Sequence, residues 1–376
     1  MRVCMVSPNV PPEQSANALL PPLLGDALAS SGVTASYVSH RSNVVGEGDG
    51  RPRKYVPRRG RGIVGRSKWG AVIASARMIL GAQHEIRNSD LVHFHSSGFL
   101  IEVGQWLARR FRKPYVITLY GTDVSAHEPG RHARYGNVVR HASARVFYSH
   151  GLREHAIRLG LAPEPSEVIY APVSPDFHPV DAGTRTALRR ELGVADELVL
   201  LTVKRLDPVA DHATLVKAMP EILRRHPTAT LWLAGDGVLR PALEATCRDN
   251  GILPRVRFLG RLKNDTLAKY YSAADLFVLP SQVESWGTVM LESLACGTPV
   301  VTTDTVGGVE VHEKFPADVV VSPRGDAQLL AEAVARALTL RQRTSQAAVE
   351  KVQRDFSIAA CAAQYLSVYR RALEAR

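Results

Sequence analysis

Apolar residues in this chain gather into short unbroken runs, separated by stretches in which they recur every three or four positions. The run from Arg2 to Pro8 reads as a buried strand ending in a loop, and Ala18 to Ser31 has helical periodicity closed by Gly32. Strands follow at Val33 to Ser39, Leu91 to His95, Tyr115 to Tyr120 and Arg145 to Ser149. Helical stretches lie at Trp69 to Arg87, Leu100 to Arg112 and Gly136 to Ala142. Pro172, Pro175 and Pro179 then exclude regular structure and suit a linker. Beyond it the alternation restarts, with helices at Thr184 to Leu192, Thr214 to Arg225, Arg240 to Asn250 and Asp265 to Ser272. The strands between them are Leu198 to Val203, Thr230 to Ala234, Val256 to Leu259 and Leu276 to Leu279. A short helix, a strand at Pro299 to Thr302 and helices at Asp326 to Leu340 and Ile358 to Glu374 close the pattern. Alternating βα units of this kind predict an α/β fold with mostly parallel sheets. At 376 residues the chain exceeds one ordinary core, so two doubly wound domains are expected, over 1–178 and 179–355, with 356–376 as a final helix.

Composition narrows the class. An apolar fraction of 45% and a charged fraction of 22% are those of a soluble globular protein. Cys4, Cys247, Cys296 and Cys361 stand far apart with no paired spacing, as reduced cytosolic thiols do. No apolar run reaches the roughly 18 residues of a membrane span, and the first residues have too short an apolar run for a signal peptide. The expected location is cytoplasmic. Net charge is +11 and has an address: residues 51–68 hold eight basic side chains and no acid, while the rest of 1–184 holds 14 of each sign. That segment reads as a solvated loop, as a contact to an anionic membrane face, where each cation adds on the order of 1 kcal/mol, or as a patch for an acidic acceptor. Tyr55 is its only aromatic residue, so a stacking platform for nucleic acid is missing and no nucleic-acid partner is expected.

The candidate chemistry concentrates in Leu276 to Val311. Glu284 and Glu292 stand eight residues apart across the start of the short helix, which follows one apolar strand and precedes another. Eight helical residues rise about 12 Å, which would leave both carboxylates on neighbouring parts of one face. The loop and helix start lie at the carboxyl end of a strand, where open α/β sheets bind ligands, and amides at a helix start attract phosphate. Leu291, Leu294, Ala295 and Cys296 make the helix largely apolar, so its acids are not simply a solvated face.

Pro280, Ser281, Glu284, Gly287, Glu292, Ala295, Cys296, Gly297, Thr298, Pro299 and Val300, continued by Gly307 and Gly308, closely resemble the donor-site signature of retaining GT-B glycosyltransferases, in particular glycosyltransferase family four. The resemblance implies two Rossmann-like domains around a cleft, with the last helix returning to the first domain. It implies that Glu284 touches the transferred sugar and Glu292 the ribose, with Ser285, Gly287, Thr288 and Val289 around the donor. Arg205 matches the family's phosphate arginine, Lys204 precedes it, Gly235 belongs to a loop near the donor, and the base lies near Arg261 and Leu262. Tyr120, Asp123 and His95 would form the acceptor-side reaction centre. The donor would be a nucleotide-diphosphate sugar, a UDP- or GDP-sugar first, with no other cofactor and no metal; the chain has no Asp-x-Asp and no clustered Cys/His set.

Three segments depart from the family pattern. The lysine expected five residues after Arg205 is Ala210, and the glycine after it is Asp211. A lost charge-assisted phosphate bond of about 1.5–3 kcal/mol weakens a site roughly 10- to 150-fold. Ser15, Ala16 and Asn17 stand where a glycine pair usually gives bare backbone, and Tyr120 stands where histidine is usual. Tyrosine, with a pKa near 10, orients a hydroxyl better than it abstracts a proton. The function expected is metal-independent, retaining hexosyl transfer to a glycan, glycolipid or small metabolite. The alternatives are a non-catalytic GT-B partner protein and a sugar-nucleotide epimerase of the same architecture.

Overall fold

Runs of Val, Leu, Ile and Phe buried on both faces build two parallel sheets of six strands each in the computed structural model, which describes residues 1–9, 16–39, 79–125, 133–340 and 343–375. In chain order the first elements are β1 (Arg2–Val6), α1 (Ala16–Ala29), β2 (Thr34–Val38), α2 (79–88), β3 (Leu91–His95) and α3 (Phe99–Arg110). They are followed by β4 (Tyr115–Leu119), α4 (Thr122–Ser125), α5 (Ala133–Arg140), β5 (Ala144–Phe147), α6 (His150–Arg158) and β6 (Ser166–Val168). Next come α7 (Ala182–Glu191), β7 (Leu198–Val203), α8 (His212–Arg225), β8 (Ala229–Ala234), α9 (Arg240–Asp249), β9 (Val256–Gly260) and α10 (Asn264–Ala273). The chain closes with β10 (Leu276–Leu279), α11 (Thr288–Ala295), β11 (Val300–Thr303), α12 (Val306–Lys314), β12 (Val319–Ser322), α13 (Ala327–Leu340), α14 (Gln346–Asp355) and α15 (Ile358–Glu374).

By contact the chain divides into Met1–Ala171 with Ile358–Arg376, and Pro172–Ser357. The first unit orders its strands β2-β1-β3-β4-β5-β6; the second, β12-β11-β10-β7-β8-β9. Each sheet has its own core of Val, Leu, Ile and aromatic side chains under flanking helices, as parallel sheets covered on both faces require.

The helix α15 is tied to the first sheet by a buried polar chain. His93 on β3 bonds the Tyr369 hydroxyl at 2.6 Å and Thr118 Oγ1 on β4 at 2.8 Å, and Thr118 meets the Tyr365 hydroxyl at 2.9 Å. Burial holds His93 neutral, well below its ordinary pKa. Tyr369→Phe leaves one buried ring nitrogen unpaired, a cost of about 1–3 kcal/mol. Thermal unfolding of the variant is expected several degrees below the parent; an unchanged midpoint would show that the chain is not anchoring.

Several elements escape the periodicity. Only Leu152 and Ala156 are buried on α6, and β6 is a three-residue edge strand, so neither leaves much pattern. Gly307 and Gly308 argue against a helix on propensity, yet they lie in α12 because of close packing: a Cβ on Gly307 would stand 2.6 Å from the Trp286 nitrogen. Asn17 belongs to α1 rather than to a glycine-like loop, and its carbonyl accepts the Ser7 hydroxyl at 2.6 Å. Ser15, residues 51–68 and the first part of the helix expected from Trp69 lie outside the described residues.

Candidate active site

In the second sheet the strand order reverses between β7 and β10, and the crevice at the carboxyl ends of such a pair is where open α/β sheets place ligands. Lys204 follows β7 directly, and Glu284 sits in the loop after β10. Their side chains meet there as an ion pair between Lys204 Nζ and Glu284 Oε2, both mostly shielded from solvent. The Glu284 carboxylate also accepts the Ser285 amide at 3.1 Å, while its own carbonyl accepts the Gly307 amide at 2.9 Å. The loop is thus held at both its backbone and its acid.

Glu284 is not on the helix, which corrects the expectation of two acids on one helical face. The helix α11 begins at Thr288, after Gly287 adopts a left-handed φ of 72°. A Cβ on Gly287 would stand 2.6 Å from Met290 Cε and 3.1 Å from Glu284 Cγ, so glycine is needed there for both conformation and space. No side chain caps α11, so its first amides, those of Thr288 and Val289 among them, are left for an anion.

Glu292 lies on the second turn of α11. Its Oε2 accepts the hydroxyl of Tyr271, on α10, at 3.0 Å. Burial pushes its carboxyl up to about 7, and the Tyr271 bond opposes the rise. No cation pairs with it among the described residues. Gly235 follows β8 with φ 146°, its amide donating to the Gly260 carbonyl at 2.8 Å; a Cβ there would lie 2.0 Å from the Lys204 carbonyl oxygen. Arg261 and Leu262 follow β9, the first exposed and the second half-buried.

Arg205 does not join the Lys204–Glu284 pair: its Nε donates to Asp207 at 2.8 Å and its side chain is 72% exposed. Ala210 is fully buried in a short 3-10 turn, Pro208–Ala210. Asp211, where glycine is usual, holds a left-handed φ of 46° and caps α8 through Thr214, with Gln282 Nε2 bonding its carboxylate at 2.5 Å. Asp is one of the few side chains that tolerates this region.

In the first unit the structure brings together two residues read from separate strand ends. His95 Nδ1 meets the Tyr120 hydroxyl at 2.7 Å, and Tyr120 packs edge-on against Tyr148 at 4.6 Å. Burial lowers His95 to about 3, so it is neutral at physiological pH. Asp123 Oδ1 accepts the amides of Tyr120 and Gly121, each at 2.9 Å, so this acid shapes the turn that presents Tyr120. Burial raises the Asp123 pKa against the pull of those amides.

Two features were missed from the sequence: the Lys204–Glu284 pair, which joins residues 80 apart, and the Tyr271 bond to Glu292. Leu267 and Tyr271 share one face at i, i+4, and a buried tyrosine hydroxyl requires a partner; that was the available signal. Among the described residues no three His, Cys, Asp or Glu side chains gather as a metal-binding group, and no helix is long and apolar enough to cross a membrane.

Two parallel α/β units of six strands each are the GT-B fold, which solved GT-B structures share with this chain. Residues 184–354 match the model of glycosyl transferases group 1, and residues 23–177 that of glycosyltransferase family 4. A glycosyltransferase of Methanocaldococcus jannaschii is 31% identical over 299 residues, 76% of each chain. The D-inositol 3-phosphate glycosyltransferase of Actinosynnema mirum is 34% identical over 252 residues, which span 61% of this chain and 59% of that relative. HepE of Anabaena, solved in complex with UDP, superposes with a TM-score of 0.81 at 20% identity, covering 98% of this chain and 100% of its own. The chain belongs to the group 1 glycosyltransferases and resembles family four.

Proposed function

We propose that this glycosyltransferase moves a hexosyl unit from a nucleotide-diphosphate sugar, UDP- or GDP-linked, to a hydroxyl of an acceptor sugar, lipid-linked sugar or small metabolite. Stereochemistry is retained and no metal takes part. The observation that carries this reading is the placement of Glu284 with Lys204 at the β7–β10 crevice, beside the uncapped start of α11. Glu292 accepts the ribose hydroxyls and Glu284 those of the sugar. Ser285, Gly287, Thr288 and Val289 surround the diphosphate, Gly235 leaves room for it, and Arg261 and Leu262 lie beside the base.

As the bond from the sugar C1 to the diphosphate oxygen breaks, negative charge grows on the leaving group and needs a fixed cation nearby. Lys204 supplies it in place of the lysine absent at Ala210, with Arg205 exchanging Asp207 for phosphate. The acceptor oxygen bonds to C1 on the face the diphosphate leaves, and its proton passes to a diphosphate oxygen. Tyr120, with His95 behind it and Asp123 shaping its turn, orients the acceptor hydroxyl; neither Tyr120 nor neutral His95 needs to act as the base. The protein acts in the cytoplasm, with residues 51–68 contacting an anionic membrane face when the acceptor is lipid-linked.

The UDP held by HepE supports a uridine donor as the first to test. Lys204→Met is expected to slow release of nucleoside diphosphate from UDP-glucose or GDP-mannose about 10²- to 10³-fold, with the loss in kcat rather than in KM. An unchanged kcat would remove Lys204 from the reaction, and an epimerised donor without transfer would replace the activity itself.

A further inference from the structure

We infer that Tyr271 is a positioning residue for the donor: its buried hydroxyl holds one oxygen of Glu292 and leaves the second oxygen for the ribose diol. This rests on the role proposed above for Glu292.

The geometry is built rather than incidental. The Tyr271 ring is fully buried, edge-on to Phe177 at 5.7 Å and against Phe277 at 5.6 Å. Its own carbonyl accepts Thr298 Oγ1 at 2.7 Å, and Thr298 Oγ1 in turn accepts Arg343 Nη1 at 3.0 Å. Arg343 Nη2 also donates to the Cys296 carbonyl, at 2.8 Å, at the end of α11. One arginine and one threonine therefore staple the end of α10, which carries Tyr271, to the end of α11, which carries Glu292. The hydroxyl has little freedom to leave Glu292 Oε2, 3.0 Å away.

Nothing else on the surrounding elements relieves the charge. On α10, Lys269 pairs with Glu191 and Asp265 bonds Thr266. On α14, which packs against α11, Lys351 and Arg354 both pair with Asp355, and Glu350 accepts from Gln346. The strands β10 and β11 carry no titratable group. Burial pushes the Cys296 thiol up to about 12, so it stays neutral. His178 faces the Cys296 end through its backbone and bonds the Pro175 carbonyl with its ring. Tyr271 is the one hydrogen-bond donor to the Glu292 carboxylate among the described residues. A vicinal diol donates two hydrogens to a carboxylate, whereas a protonated carboxyl must keep one position for its own proton. The ionised form therefore binds ribose better, and Tyr271 favours that form.

The test is calorimetric titration of the full chain with UDP, GDP and ADP, and with the 2′,3′-dideoxy form of whichever binds, from pH 6 to 9. Parent affinity is expected to rise with pH through about 7 and then level. Tyr271→Phe, isosteric and checked by circular dichroism, should bind the ribonucleotide about tenfold more weakly or worse at pH 7. Its midpoint should move upward, with affinity recovering toward pH 9. The dideoxy nucleotide should bind both proteins equally, without the pH dependence. Parent-like affinity and midpoint in Tyr271→Phe, with binding lost in Glu292→Gln, overturn the role of Tyr271 while Glu292 keeps its own. Equal parent affinity for ribose and dideoxyribose, or no binding of any of the three, overturns both.

Discussion

Glu292→Gln is expected to stabilise the second unit while removing nucleotide binding. The carboxyl titrates near 7 in the folded chain, against an ordinary value of 4.5. Between these values the folded state holds a proton that the unfolded state has lost. Stability from this group therefore falls as pH rises from about 4.5 to about 7 and is flat above. At 1.36 kcal/mol per pKa unit the cost at pH 8 reaches about 3 kcal/mol. Glutamine keeps an oxygen for the Tyr271 hydroxyl and carries no charge, so the cost disappears. For a unit of this size the midpoint should rise by roughly 6–12 °C at pH 8 and match the parent near pH 4.5. Nucleoside diphosphate affinity should meanwhile fall by about 10²-fold, since a charged acceptor for two hydroxyls is gone. Unfolding midpoints measured from pH 4.5 to 8 for both proteins check the claim; parallel curves would mean that Glu292 is not held charged against burial. A site that costs stability and gains binding is a common trade in enzymes.

Gly235→Ala has the second large effect, and it acts through the backbone. The added Cβ would stand 2.0 Å from the Lys204 carbonyl oxygen and 2.8 Å from its carbon, at a φ of 146° that side chains rarely adopt. Strain of this kind costs about 1–3 kcal/mol before any clash, and a backbone carbonyl cannot rotate away as a side chain tip can. The expected loss is roughly 3 kcal/mol or more, a fall in midpoint of about 6–12 °C. Displacing Lys204 also loosens its ion pair with Glu284, so nucleotide affinity falls with stability. Gly251→Ala is the control: φ is 66°, nothing lies within 4 Å, and only the conformational cost of about 1–2 kcal/mol applies. Equal midpoints for the two variants would contradict the close approach at Gly235.

The two sheets were legible because parallel strands buried on both faces leave unbroken apolar runs, as Leu198 to Val203 and Leu276 to Leu279 do. α15 was read to its last residue because Cys361, Tyr365, Val368 and Ala372 repeat along one face. Local signals failed where the determining contact is distant. No periodicity reveals that Lys204 turns to Glu284, since the pair forms only when β7 and β10 become neighbours. The helical placement of Glu284 fails for a local reason: the left-handed conformation of Gly287 starts the helix four residues after the acid. Tyr120 and His95 were each read singly, and their bond becomes visible only with β3 and β4 side by side.

The most direct measurement is calorimetric binding of UDP-glucose, GDP-mannose and ADP-glucose to the parent chain and to Glu284→Ala with Lys204→Met. One saturable site per parent chain is expected, selective for one base, with affinity lowered at least tenfold in the double variant. Absence of saturable binding by any of the three, or identical affinity in both proteins, would contradict a nucleotide-sugar site at the β7–β10 crevice.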